Sequence, residues 1–244
     1  MNYTYGLSCI NTYLSSGASI ILNEKAITER TFWEYVDKTK PTSISGVPYT
    51  YSTLHRLGLD IIKAKGFKVL TQAGGKLQEK ILKQYAEFCD KHNIKFYVMY
   101  GQTEATARMS YLPHTRLKEK IGSIGVAIPG GHFELDMKTN FETISNKDKA
   151  RELVYFGKNV SLGYANCFED LNKNNVNNGV LRTGDLAIKD EEGFFYIVGR
   201  ISRFAKISGL RISLDDIDDI LSTLSIRSAT ITDDKNVNIF VETK

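Results

Sequence analysis

Five consecutive residues, Tyr100-Gly101-Gln102-Thr103-Glu104, carry an aromatic ring, a bare backbone, a hydroxyl and a carboxylate. They follow an apolar strand pattern, and ligands of open α/β sheets collect outside the carboxyl ends of strands. There a Tyr can stack on a flat base and a Gly lets the backbone approach a ligand. The Thr hydroxyl can donate to a phosphate oxygen, and the Glu offers a hard oxygen to Mg²⁺. The plainer alternative is a strand-end turn with a buried Tyr and a capping Thr. A second segment, Ala73-Gly74-Gly75-Lys76-Leu77, also lies between a strand and a helix. Paired glycines at a helix start can cradle a phosphate or approach a base edge, or form no more than a tight turn. The P-loop spacing is absent.

The third segment is Arg182-Thr183-Gly184-Asp185-Leu186. A fixed carboxylate beside a Gly turn suits two vicinal hydroxyls, as on a ribose. Otherwise it is an Asx turn entering a strand. Arg200, directly after Gly199, could donate to the same ribose. Beyond it, Lys206, Gly209-Leu210-Arg211-Ile212 and Asp216-Ile217-Asp218 read as a hinge and loop, or as a linker with a solvated basic face.

These residues need elements to hold them. Leu7, Ile10 and Leu14 space as one helix face, which Gly17 ends. Ala18 to Leu22 reads as a short apolar strand. A helix follows through Phe32, Trp33 and Val36 and stops before Pro41. Thr42 to Val47 reads as a strand, and Pro48 opens a helix at its first turn. Phe67 to Leu70 is the next strand. Leu77, Ile81, Tyr85 and Phe88 place an amphipathic helix over 77–92, and Ile94 to Met99 is again a strand. This alternation predicts parallel strands joined by crossover helices. From about residue 120 the chain turns β-rich, with a strand at Leu153 to Phe156. A hairpin covers Leu186 to Val198, turning at Asp190-Glu191-Glu192-Gly193, so a small barrel or curled sheet is expected. After Arg200 a helix through Leu214, Ile217, Ile220, Leu221 and Leu224 is capped by Ser213. Strands at Ile226 to Thr232 and Val237 to Glu242 follow, joined by Asp233-Asp234-Lys235-Asn236. The Asn-rich run Asn172 to Asn178 reads as an exposed loop.

Composition narrows the function. The 244 residues are 42% apolar and 25% charged, which is ordinary for a globular chain. No apolar run nears the roughly 20 residues of a membrane span. The net charge of +4 is scattered among acids, which argues against nucleic acid as a partner. Cys9, Cys89 and Cys167 have no paired spacing, and His55, His92, His114 and His132 have no ligand spacing. A reduced, cytoplasmic compartment is expected, with no secretory leader in Met1 to Tyr5.

Taken singly, each motif is ordinary; their order is not. Tyr100 stands 85 residues before Asp185, Asp185 stands 15 before Arg200, and Arg200 stands 9 before Gly209. Here the sequence resembles the adenylate-forming (AMP-binding) superfamily of acyl-CoA synthetases, nonribosomal-peptide adenylation domains and luciferases. YGQTE is similar to the family's YGxTE, and RTGDL to its TGD. GRISRFAKISGLRIS with the following DID is similar to its GRxxxxxKxxGxRI…EIE. Residues 122–131, GSIGVAIPGG, also resemble the family, as do Tyr5-Gly6-Leu7-Ser8 and Gly46-Val47-Pro48.

The resemblance implies an α/β fold: part of the large adenylate-forming domain plus the start of a small α+β C-terminal domain. Residues 1–118 would be a partial α/β subdomain of parallel sheet and crossover helices. Residues 119–199 would be a small β-barrel-like subdomain, and 200–244 a hinge and truncated C-terminal domain. It implies an ATP-dependent acid–thiol ligase that joins a small-molecule carboxylate to AMP. The acyl group then passes to CoA or to a phosphopantetheine carrier. By carry-over, Tyr100 stacks on adenine, with Gly101 and Gln102 beside it. Gly74, Gly75 and Lys76 line the adenine edge. Thr103 contacts the α-phosphate and Glu104 holds Mg²⁺. Asp185 binds both ribose hydroxyls and Arg200 reinforces it. The loop Ser208-Gly209-Leu210 enters the site during thioester formation. Tyr5, Ser45, Gly46, Val47 and the strand leading to Tyr100 are candidate acyl-pocket walls, with Gly46 leaving room.

The departures are as informative. The family's Ser/Thr/Gly-rich triphosphate loop belongs well before Tyr5, and its catalytic Lys lies beyond the last strand of this sequence. Ser202 stands where the family usually has Asp or Lys, and Asp216 and Asp218 stand where Glu is usual. What this sequence holds is the AMP side of the site. A separate chain supplying the N-terminal part is then the expected partner, as for one half of a split enzyme. The alternative is an inactive remnant that holds AMP or an acyl-adenylate. Either way, this chain by itself is expected not to exchange pyrophosphate with ATP. Exchange at an intact ligase's rate would contradict the assignment of the missing groups.

Overall fold

The computed structural model describes residues 3–138, 150–207, 210–224, 226–233 and 236–242. It divides the chain into two compact units. The first comprises Met1–His132, Phe156–Leu181 and Glu191–Phe194, and the second Phe133–Tyr155, Arg182–Asp190 and Phe195–Lys244. Among the described residues, no helix is long and apolar enough to cross a membrane.

The first unit begins with helices α1 (Thr4–Ser15) and α2 (Arg30–Thr39). Strand β1 (Ser43–Gly46) leads through Val47 into α3 (Pro48–Leu57), with Pro48 in the first turn, where its missing N–H costs nothing. Short helix α4 (Asp60–Ala64), β2 (Val69–Gln72), α5 (Glu79–Lys91) and β3 (Lys95–Tyr100) follow. The strands β1, β2 and β3 pair in parallel, as the alternation predicts. Beyond Tyr100 the chain doubles back as β4 (Ser110–Leu112), antiparallel to β3, and β5 (Val126–Ala127) pairs antiparallel to β4. The sheet order is β1-β2-β3-β4-β5.

One face of this sheet is sealed by an aromatic core. Phe96 lies 4.9 Å from the Tyr51 ring and 5.3 Å from that of Tyr85, and all three are fully buried. The Tyr85 hydroxyl donates to the Tyr51 carbonyl at 2.8 Å, so the buried phenol is satisfied. Cys89, in the same helix, has its thiol pushed up to about 12 by burial. The other face carries hydroxyls. Thr71 donates to Ser45 at 2.8 Å and shares a hydrogen bond with the Tyr5 hydroxyl of α1 at 3.0 Å. Tyr13 of α1 reaches Ser43 at 2.9 Å.

Two expectations change in this unit. Ala18 to Leu22 forms no strand: it pairs with no neighbour, and Leu22 is 61% exposed. A short apolar run needs a partner strand to become one. The strand expected from Phe67 begins at Val69 instead. The Phe67 amide is used to close the end of α4, donating to Ile62 at 3.2 Å.

The second unit holds most of β6 (Gly131–Asp136), β7 (Arg151–Gly157), β8 (Val180–Lys189) and β9 (Phe195–Arg200). These form a four-stranded sheet in that order, with β8 and β9 antiparallel around the expected turn. Strands β10 (Phe204–Ile207) and β11 (Leu210–Ser213) make a hairpin. Helix α6 (Leu214–Thr223) begins as predicted, with the Ser213 hydroxyl accepting from the Asp216 amide. Strands β12 (Ser228–Thr232) and β13 (Val237–Val241) pair antiparallel. Asp234 and Lys235 of the expected turn lie outside the described residues, as do Ser208 and Gly209 of the loop expected to enter the site.

The aromatic core makes a direct claim on stability. Phe96→Ala is expected to lower unfolding free energy by about 3–5 kcal/mol in urea titration, because it empties the centre of the cluster. A loss below about 1 kcal/mol would show that this face is not the core.

Candidate functional site

The motif at the end of β3 is a turn locked by its own backbone. Met109 N–H donates to the Tyr100 carbonyl at 2.9 Å, and Ala107 N–H to that of Gln102 at 2.9 Å. The returning chain passes so close that a Cβ on Gly101 would lie 2.3 Å from the Ala107 carbonyl carbon and 2.6 Å from the Arg108 nitrogen. Position 101 therefore tolerates no side chain. Thr106 and Ala107 both take left-handed backbone angles, with φ of 58° and 61°. For an L-residue with a Cβ that conformation costs about 1–2 kcal/mol, so the turn is held in place by its surroundings.

Those surroundings come from a distant segment of the same unit. Asn159 donates to the Ala105 carbonyl at 2.8 Å and to that of Arg108 at 3.1 Å. The Ser161 amide donates to the Glu104 carbonyl at 2.7 Å. The Tyr164 hydroxyl donates to the Glu104 carboxylate, and this bond raises the phenol's pKa. From α1, Thr4 donates to the Thr103 hydroxyl at 3.1 Å. Thr103 is exposed and Glu104 half-buried, at the carboxyl end of a parallel strand.

The glycine pair lies in the same unit, after β2. Gly74, Gly75 and Lys76 are exposed. Gly74 is left-handed at φ 80°, and Gln72, only 1% exposed, donates to the Gly75 carbonyl at 2.8 Å. Behind the pair, Tyr5, Ala73 and Ala107 form a small buried cluster with Cys9, Val47 and Met99 packed on it. The glycine turn, α1 and the turn after Tyr100 therefore share one support. Lys76 pairs with Glu79 at 3.5 Å on the surface. Gly46, expected to leave room for substrate, is closed instead. A Cβ there would lie 2.8 Å from the Thr50 side chain, so its small size serves the packing of α3.

Asp185 and Arg200 belong to the second unit and face each other in the β8–β9 register. The Arg200 Nε lies 3.1 Å from the Asp185 carboxylate, which is only 12% exposed. A bulge between Leu186 and Ala187 follows directly. The strand is fixed on its other side by Glu152, 6% exposed and absent from the sequence reading. One Glu152 oxygen accepts from the Gly184 amide at 3.2 Å, and the other accepts from Arg182. Arg182 also reaches Asp136 at 2.5 Å, and these two carboxylates, Asp136 foremost, raise its pKa. Thr183 donates to the Leu153 carbonyl at 2.7 Å and accepts from the Asp185 amide at 3.1 Å. The carboxylate is thus held on a rigid strand, suited to accept from a pair of hydroxyls.

The described residues contain no cluster of three or more His, Cys, Asp or Glu that could hold a metal alone. Mg²⁺ does not need one. It is commonly held by one or two carboxylates, with phosphate and water oxygens completing its shell. The hard carboxylate of Glu104 beside the Thr103 hydroxyl fits that mode. The sequence singles out Tyr100, Thr103, Glu104, Asp185 and Arg200 as candidates but gives no sign of Asn159, Tyr164 and Glu152, which hold their segments in place. The missed residues lie 30 to 60 positions from the groups they hold, so no local pattern marks them.

Residues 1–165 match the family described as AMP-binding enzyme. A 2-succinylbenzoate–CoA ligase of Bacillus anthracis is 29% identical over 224 residues, which is 91% of this chain and 44% of the relative. One from Bacillus cereus is 28% identical with the same coverage. The unliganded o-succinylbenzoate–CoA synthetase of Bacillus subtilis superposes with a TM-score of 0.75 at 22% identity, over 99% of this chain and 52% of its own. An anthranilate–CoA ligase bound to anthranoyl-AMP gives 0.65 at 17%, over 92% of this chain and 43% of its own. The chain spans about half the length of the curated relatives it matches. The fold, the order of motifs and the match over residues 1–165 together show that the chain belongs to the AMP-binding enzyme family.

Proposed function

We propose that this chain is the AMP-holding portion of an ATP-dependent acyl-adenylate and acyl-thioester ligase, acting on a small carboxylic acid with CoA as the thiol. The observation that carries the reading is the locked turn after β3. It presents Thr103 and Glu104 at the carboxyl end of a parallel strand, where open α/β sheets bind ligands. A cytoplasmic setting suits such a ligase and its three free cysteines.

In this reading each residue has a physical task. Tyr100 stacks on adenine, with Gly101 and Gln102 beside it. The exposed backbone of Gly74, Gly75 and Lys76 follows the base edge. The Thr103 hydroxyl donates to the α-phosphate, where negative charge grows as the mixed anhydride forms. Glu104 would hold Mg²⁺, which when bound supplies positive charge beside the phosphate oxygens. Asp185 accepts from both ribose hydroxyls, and Arg200 keeps it aimed. The substrate carboxylate is already ionised at neutral pH, so its attack on phosphorus requires no general base. Two o-succinylbenzoate–CoA synthetase structures, one with AMP and one with an acyl-adenylate, are built on this fold. They support AMP and an acyl-adenylate as ligands of the proposed site here.

Calorimetric titration of the chain tests this. AMP is expected to bind more tightly than 2′,3′-dideoxy-AMP, by about tenfold, because the dideoxy nucleotide lacks the two hydroxyls that would donate to the Asp185 carboxylate. Asp185→Asn should erase that discrimination. Equal affinity for the two nucleotides in the unaltered chain would overturn the assignment of Asp185. Glu152→Gln is expected to weaken AMP severalfold through the tilt of β8, with the preference for the full ribose retained. An unchanged affinity would show that Glu152 does not position the strand.

A further inference from the structure

Gln72 ends β2 with its side chain buried, and the glycine pair begins two residues later. The turn is clamped at both ends. The Ala73 amide donates to the Gly46 carbonyl at 3.2 Å, and both Ala73 and Leu77 are buried. Between these anchors Gly74, Gly75 and Lys76 are exposed. Gly74 and Gly75 take φ of 80° and 154°, which residues with a Cβ adopt only under strain. An added Cβ would meet Val47 at 3.3 Å from Gly74 and Pro48 at 3.2 Å from Gly75. The backbone of this turn therefore has one shape, set by the start of α3.

The direction of its polar groups is set by Gln72. Among the described residues, the amides of Gly74, Gly75 and Lys76 donate to no protein group. The Gly75 carbonyl, by contrast, accepts from the buried Gln72 Nε2 at 2.8 Å and so faces the protein. The Gly75–Lys76 peptide is trans, so its C=O and N–H point opposite ways. The Lys76 N–H is thereby turned outward. This arrangement is not free of cost. Gln72 Oε1 is buried with no hydrogen-bond partner, and an unpaired buried acceptor is unfavourable. An apolar side chain would avoid that penalty, and it would also leave the Gly75 carbonyl unheld.

Building on the nucleotide reading above, we infer that Gln72 is a positioning residue that makes the site select adenine over the 6-oxopurines. It holds one peptide so that a donor, the Lys76 N–H, meets the base edge. Adenine and guanine both carry an acceptor at N7, so a donor there cannot separate them. They differ at N1. In adenine N1 is a bare acceptor at neutral pH, whereas in guanine and hypoxanthine it carries a hydrogen. An outward N–H completes a hydrogen bond with the first and opposes a second donor in the others. A donor left facing a donor loses its partner in water and gains none.

Calorimetric titration of the full chain with AMP and with IMP tests this assignment. AMP is expected to bind about tenfold more tightly than IMP. Gln72→Met keeps the length of the side chain and removes its amide. In that variant AMP should weaken about tenfold while IMP stays within about twofold, so the preference disappears. Equal affinity for AMP and IMP in the unaltered chain overturns the inference. So does a Gln72→Met chain that weakens both nucleotides alike, which is what a purely structural role would give. Both results leave the nucleotide reading standing. Failure of AMP to bind at all overturns that reading, and this inference with it. Amide exchange followed by NMR in the unaltered chain needs no variant. The Lys76 amide should exchange as an open amide without nucleotide, and slow about tenfold or more with saturating AMP but not with saturating IMP. Protection before any nucleotide is added, or equal slowing by both, overturns the outward donor.

Discussion

The structure turns on one close approach. At the end of β3 the chain reverses, and the backbone of Ala107 and Arg108 presses against Gly101 with no room for a Cβ. That contact fixes two things together. It converts a parallel strand into the start of an antiparallel pair, β3 with β4. It also displays Thr103 and Glu104 on a short turn at the strand's carboxyl end. The left-handed Thr106 and Ala107 are the strain that accompanies such a tight reversal. Asn159, Ser161 and Tyr164 hold the reversal closed.

Support elsewhere follows the same plan: exposed polar groups with little freedom, held by buried ones. The glycine pair after β2 rests on the Tyr5, Ala73 and Ala107 cluster, with Gln72 pinning its carbonyl. In the second unit, Asp185 sits on a strand braced by Glu152, Arg182 and Thr183. In the ligase reading, groups held this way would lose little conformational entropy when a nucleotide binds, because they are already in position.

Much of the fold was legible in the sequence because hydrophobic period and punctuation agreed. The periodicity of Leu77, Ile81, Tyr85 and Phe88 located helix α5, although its fully buried stripe is Leu82, Tyr85, Ala86 and Cys89, with Ile81 and Phe88 only half-buried at its edge. Pro48 at the first turn of α3 and Ser213 at the cap of α6 are local chemistry, readable from neighbours alone. Ala18 to Leu22 misled, since apolarity makes a strand only where a partner lies alongside. Gly46 misled for a related reason: a glycine can mark space for a ligand or space for a neighbour, and Thr50 occupies it. The residues that touch a nucleotide in the ligase reading were legible because their spacing is a family signature. Glu152 and Asn159 were not. Each acts through contacts with residues far along the chain or across a sheet face, and only folding makes those neighbours.

The central claim of the ligase reading is that the turn after β3 binds the nucleotide. Hydrogen–deuterium exchange of the chain across a range of AMP concentrations tests it most directly. The account predicts slowed exchange at the amides of residues 100–109, with protection rising as AMP is added. Exchange at those amides that is unchanged by AMP would contradict it.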